Sequence, residues 1–86
     1  MAIYKKSVVI VELAQWVQGI ELMYPRKAAA YDYELICWHE VSEPDPETNQ
    51  VTMTIRIIGP DLKKVEGMVE VFEKDLGAVP VIEEVA

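Results

Sequence analysis

A chain of 86 residues makes one domain with a small core. A hydrophobic fraction of 51% excludes a wholly disordered protein, and a lone cysteine excludes an intrachain disulfide. The net charge is −7, and the basic residues cluster no further than the pairs Lys5-Lys6, Arg26-Lys27 and Lys63-Lys64, which argues against recognition of a nucleic-acid backbone.

The first stretch, MAIYKKSVVIVELAQW, places two lysines before an apolar run. Glu12 and Gln15 interrupt that run and no small-residue cleavage site follows. It therefore reads as the first element of a folded domain rather than as a signal peptide. No apolar run approaches the ~20 residues of a membrane helix, so a soluble, cytoplasmic protein without a membrane partner is expected. Two parses fit the next residues. The β-branched run Val8–Val11 favours a strand over about residues 2–12, followed by a helix over 13–24. Yet Val9, Leu13, Trp16, Val17, Ile20, Met23 and Tyr24 also share one helical face, which would suit a single helix from Ser7 to Tyr24. The first parse is preferred, because β-branched residues are weak helix formers and later strands need a partner. Pro25 is expected to end the helix, leaving RKAAAYDY as a connector.

ELICWHEV and VTMTIRII flank SEPDPETNQ, a loop rich in proline and acids. The flanks read as the two strands of an antiparallel hairpin. In the second, Val51, Met53, Ile55 and Ile57 alternate with Thr52, Thr54 and Arg56, the pattern of a half-buried strand. In the first, Tyr33, Leu35, Cys37, His39 and Val41 share one face, and Glu34, Ile36, Trp38 and Glu40 the other. Gly59-Pro60-Asp61 then starts a helix whose apolar stripe is Leu62, Val65, Met68, Val69, Phe72 and Leu76. Glu66, Glu70 and Glu73 form its solvated face, and Gly77 is its C-terminal glycine. AVPVIEEV closes the chain as a short strand, placed at a sheet edge by Pro80. The resulting order βαββαβ predicts an α+β, ferredoxin-like sandwich: an antiparallel sheet with two helices on one face.

Cys37 and His39 are the candidate chemical residues, the only cysteine and the only histidine. Two apart on a strand, they project from one face with α-carbons ~7 Å apart. They could offer two ligands to zinc or copper, or a thiol beside a base. A metal needs more ligands, which only carboxylates or another subunit could provide. A buried, packing cysteine is the plainer expectation. Trp38 and Ile36 face the other way. Helices cover one side of such a sheet, so an aromatic left on the bare side would mark association. The candidate partner-binding residues are Trp38, Ile36, Tyr33 and Trp16, although Trp16, with Met23 and Tyr24, is expected chiefly to pack in the core. No phosphate-cradling glycine loop and no Ser-His-Asp set is present, and no cofactor is implied.

The segments DPETNQVTMTIRIIGPDL and VPVIEEVA, within Asp45–Ala86, resemble a family of small, uncharacterised archaeal ferredoxin-like proteins. An acidic turn, an alternating strand, a G-x-D helix start and a terminal EV strand follow one another in that family. The layout also resembles ACT-like regulatory domains. The ACT-like resemblance implies association through sheet edges and small ligands bound at interfaces. The expected function is a non-catalytic regulatory or interaction module that forms a homo-oligomer and binds a small molecule or protein. The alternative is a small enzyme or accessory subunit using Cys37 and His39 at a subunit interface. A third reading, an RNA-binding sheet, would need exposed aromatics with Arg or Lys nearby.

Overall fold

The computed structural model describes residues 2–82. The β-branched run forms β1, Tyr4–Leu13, and passes directly into α1, Ala14–Tyr31. The strand-plus-helix parse therefore holds, and the single helix from Ser7 is not formed. Among the described residues no side chain caps α1 at Leu13. The junction is held instead by the Leu13 N–H donating to Glu12 Oε1 at 2.8 Å and the Ala14 N–H donating to the Asn49 carbonyl at 2.8 Å.

Pro25 does not end the helix. Proline forfeits the bond to the Glu21 carbonyl, but four alanines or long-chain residues follow it before Ala30, all good helix formers. Tertiary contacts then hold the extra turns: Ala28 is buried, and Lys27 Nζ lies 3.0 Å from Asp75 Oδ2. Residues 26–31 of the expected connector are thus helical.

The hairpin consists of β2, Ile36–Val41, and β3, Gln50–Gly59. β2 starts later than its sequence pattern suggests. Asp32 Oδ1 accepts from the Glu34 N–H at 2.8 Å and makes a turn of Tyr33 and Glu34. Lys64 Nζ braces this turn, 2.8 Å from Asp32 and 3.5 Å from Glu34. Tyr33 therefore does not share the strand face of Cys37, and it is 88% exposed.

α2, Leu62–Leu76, has the expected signals one step displaced: Asp61 is the N-cap and accepts from the Lys63 N–H at 2.9 Å, while Pro60 precedes the cap. Gly77 closes the helix with φ of 66°, a left-handed position that suits glycine. Gly67 serves a close approach, since the Tyr31 ring of α1 occupies the space a Cβ there would fill. β4 is only Val79–Pro80. Val81 and Ile82 do not continue the expected last strand, and its remainder, from residue 83, lies outside the described residues.

The sheet order is β2-β3-β1-β4, with every neighbouring pair antiparallel. Register assigns the faces. Cys37 pairs with Ile57, His39 with Ile55 and Val41 with Met53, while Val8 and Ile10 meet Ile55 and Met53 from the other side. This face receives Val17, Tyr24 and Ala28 from α1 and Val65, Met68, Val69 and Phe72 from α2, and together they form the core. Phe72, Met53, Ile55 and Ile57 are fully buried, each worth about 1.5–3 kcal/mol of transfer free energy. The opposite face carries Lys5, Ser7, Val9, Val11, Ile36, Trp38, Glu40, Thr52, Thr54, Arg56, Ile58 and Val79, and no helix of the described residues lies over it.

Candidate functional site

Strand alternation sends the unusual residues of β2 to two places. Under the helices, His39 bridges β2 to α1. Its Nε2 lies 2.8 Å from Glu21 Oε2, and its Nδ1 lies 2.6 Å from the Tyr24 hydroxyl. An ionised carboxylate only accepts, so Nε2 donates. In the neutral imidazole Nδ1 then accepts, and the Tyr24 O–H is its donor. The three side chains form a carboxylate–imidazole–hydroxyl relay. Its terminal hydroxyl is not a nucleophile in waiting. Tyr24 is 4% exposed, and burial raises its phenol above the ordinary value, with smaller contributions from Cys37 and Glu21. The Tyr24 ring also meets His39 and Phe72 edge-on, at centroid distances of 5.1 and 6.0 Å. The relay ties α1 to the β2 edge.

Cys37 packs against the same core. Burial pushes its thiol up to about 11, the opposite of the shift that activates a cysteine. Both His39 nitrogens are engaged, and among the described residues no group of three His, Cys, Asp or Glu side chains could hold a metal ion. The geometry thus gives the Cys37–His39 pair a packing and tethering arrangement. Glu21 and Tyr24 complete it, and the sequence offered one faint signal for them: Glu21 sits alone in the apolar stretch GIELMYP, three residues before Tyr24.

On the open face, Trp38 is 38% and Ile36 63% exposed. Lys5 Nζ sits 5.9 Å over the Trp38 ring. Arg56, paired with Trp38 across the strands, has Nη1 3.3 Å from Glu40 Oε1. That approach lies outside hydrogen-bond geometry, and the buried Nη1 has no hydrogen-bond partner among the described residues. The ion pair is therefore a weak one. Val11 and Val79 add exposed apolar surface on the β1–β4 side.

The other sequence candidates lie elsewhere. Trp16 is not core: it is 62% exposed. Val17, Tyr24 and Ala28 define the buried line of α1, and Trp16 is one residue, about 100° of helix, away from it. Met23, one residue before Tyr24, is exposed for the same reason. Trp16 and Tyr33 do not join Trp38 and Ile36 in one patch, since one is on a helix over the covered face and the other in a turn. Glu66, Glu70 and Glu73 are exposed, as their helical phase predicts.

No family model matches the chain, and no curated protein matches it. Among solved structures, one described as "De novo designed protein Foldit4" is similar, with a TM-score of 0.65 and 11% identity over 98% of this chain and 94% of that one. At that identity the likeness shows a shared fold alone: α+β, with a four-stranded antiparallel sheet and two helices. Among the described residues no helix is long and apolar enough to cross a membrane.

Proposed function

We propose that this protein is a non-catalytic interaction or regulatory module of ferredoxin-like architecture, which self-associates through its β-sheet and presents the open face to a small molecule or protein partner. The observation that carries the reading is the open face: Trp38 and Ile36 stand exposed on a sheet surface that no helix of the described residues covers. Apolar surface with an aromatic anchor, rimmed by polar residues, is the composition of association sites. The split βαβ order, with β3 between β1 and β2 and β4 outside β1, is in keeping with the ferredoxin-like name. The small core of an 86-residue chain gains from a second copy. A lone thiol held in its neutral form suits a reducing compartment such as the cytoplasm.

Lys5 and Arg56 beside Trp38 are also the minimum for stacking an RNA base. Glu40 and the net charge of −7 oppose it, and no nucleic-acid partner is assigned. Sedimentation velocity across micromolar concentrations tests the reading. A species larger than the monomer is expected, with no affinity for single-stranded RNA at low salt. A strict monomer throughout that range contradicts self-association, and tight RNA binding replaces the protein or small-molecule partner with a nucleic acid.

A further inference from the structure

We propose that two copies of this chain pair edge to edge through β2, antiparallel across a two-fold axis, so that two four-stranded sheets become one and the α1 helices lie side by side. The inference rests on the self-association reading and names the surface that performs it.

Backbone alternation comes first. The Ser42 N–H donates to the Thr52 carbonyl at 2.9 Å, so residues 36, 38 and 40, in phase with Ser42, bond to β3. At the far side of the sheet the Val81 N–H donates to the Ser7 carbonyl at 2.9 Å, the same alternation carried across β1. The N–H and carbonyl groups of Cys37, His39 and Val41 therefore point out of the sheet, with no backbone partner among the described residues. The two edges differ in how they are protected. β4 has two residues and a proline, and is blunted. β2 has six residues, without proline, lysine or bulge, and its one charged side chain, Glu40, points away from the helices.

The helix above this edge makes the second, independent observation. Gln18, Leu22, Pro25 and Ala29 form a row at helical spacing on α1, all exposed and none charged; Leu22 is 68% exposed. The row lies on the β2 side. Glu21, next to it around the helix, reaches His39 of β2, while Lys27 on the other flank reaches Asp75 of α2. A free helix flank of a −7 protein would ordinarily carry charge.

A second copy fits both layers at once. A two-fold axis at the β2 edge sets strand against strand and the uncharged row against itself. Outward-pointing residues must pair with outward-pointing residues, and the longest overlap of two six-residue strands then puts the axis at one of the two central residues, Trp38 or His39. Centring on Trp38 opposes two indoles, sets Ile36 against Glu40 of the second copy, and sets Cys37 against its His39. Centring on His39 opposes two imidazoles. Cross-strand aromatic pairs stabilise a ladder, which favours the Trp38 axis. The two open faces then fuse into one surface with the Trp38 pair at its middle.

Amide hydrogen exchange read together with sedimentation tests this. In the dimeric wild type the Cys37 and His39 amides exchange at least about tenfold more slowly than in Leu22→Glu, which stays folded by circular dichroism and sediments as a monomer. Val11→Glu, on the open face away from β2, remains a dimer. Fast Cys37 and His39 exchange in a dimeric wild type overturns the β2 edge while leaving self-association standing. So does a Val11→Glu monomer beside a Leu22→Glu dimer, which moves the contact to the open face. A wild type that is monomeric throughout overturns both readings.

Discussion

Cys37 and Trp38 are adjacent in the chain, yet one lies under two helices and the other looks into solvent. The covered side of the sheet is closely packed and mutually determined. Ile55, Ile57 and Met53 meet Phe72 and Met68, and even the polar members, His39, Glu21 and Tyr24, satisfy one another. The open side has a loosely paired Arg56, an exposed Ile36 and a Trp38 with Lys5 above it. The difference teaches that uncommon residues side by side on a strand do not make a site. A period of two separates them, and the face with fewer internal partners is the one available to others.

Five measurements probe that contrast, in descending order of effect on the fold. Phe72→Ala, at the centre of the covered side, is expected to destabilise the fold by about 3–5 kcal/mol in urea unfolding, whereas Thr54→Ala on the open side stays within about 0.5 kcal/mol. Equal effects would erase the distinction between the faces. Tyr24→Phe deletes the hydroxyl that donates to His39 and leaves Nδ1 without its partner. A loss of about 1–3 kcal/mol follows, and a neutral result would show that the relay does not tie α1 to β2.

Cys37 gives a pH dependence whose sign is fixed. Its folded pKa, about 11, lies above the ordinary 9.0, so the neutral thiol is favoured in the fold. The unfolded chain loses its proton first, so stability falls as pH rises from the ordinary value towards 11. Tyr24, also raised, acts in the same direction above its ordinary value of 10.0. Cys37→Ala should flatten the first part of that decline. Thiol labelling near pH 8 should be about a hundredfold slower in the folded protein than in the unfolded chain, and equal rates would place Cys37 in solvent.

Much of this arrangement is legible in the sequence where one period dominates. Val51, Met53, Ile55 and Ile57 alternate cleanly, and α2 has both an apolar stripe and caps at its ends. Legibility fails where local and tertiary terms compete. Pro25 looks like a stop, but Ala28 and Lys27 gain contacts that outweigh one missing backbone bond. Trp16 looks like core because α1 is apolar on more than one side, and only packing against the sheet selects Val17, Tyr24 and Ala28. Tyr33 continues the strand alternation on paper, but the Asp32 turn breaks it. The partners of His39 come from a helix whose phase the sequence leaves ambiguous, so Glu21 could not be placed beside it.

The smallest expected effect on stability is also the most direct test of function. Trp38 emission, read in a Trp16→Phe background so that it is the only indole, reports whether the open side of β2 is met by another molecule. A blue shift and weaker acrylamide quenching are expected as concentration rises through the micromolar range, in step with the sedimentation coefficient. Emission that stays red and fully quenchable at every concentration would contradict it.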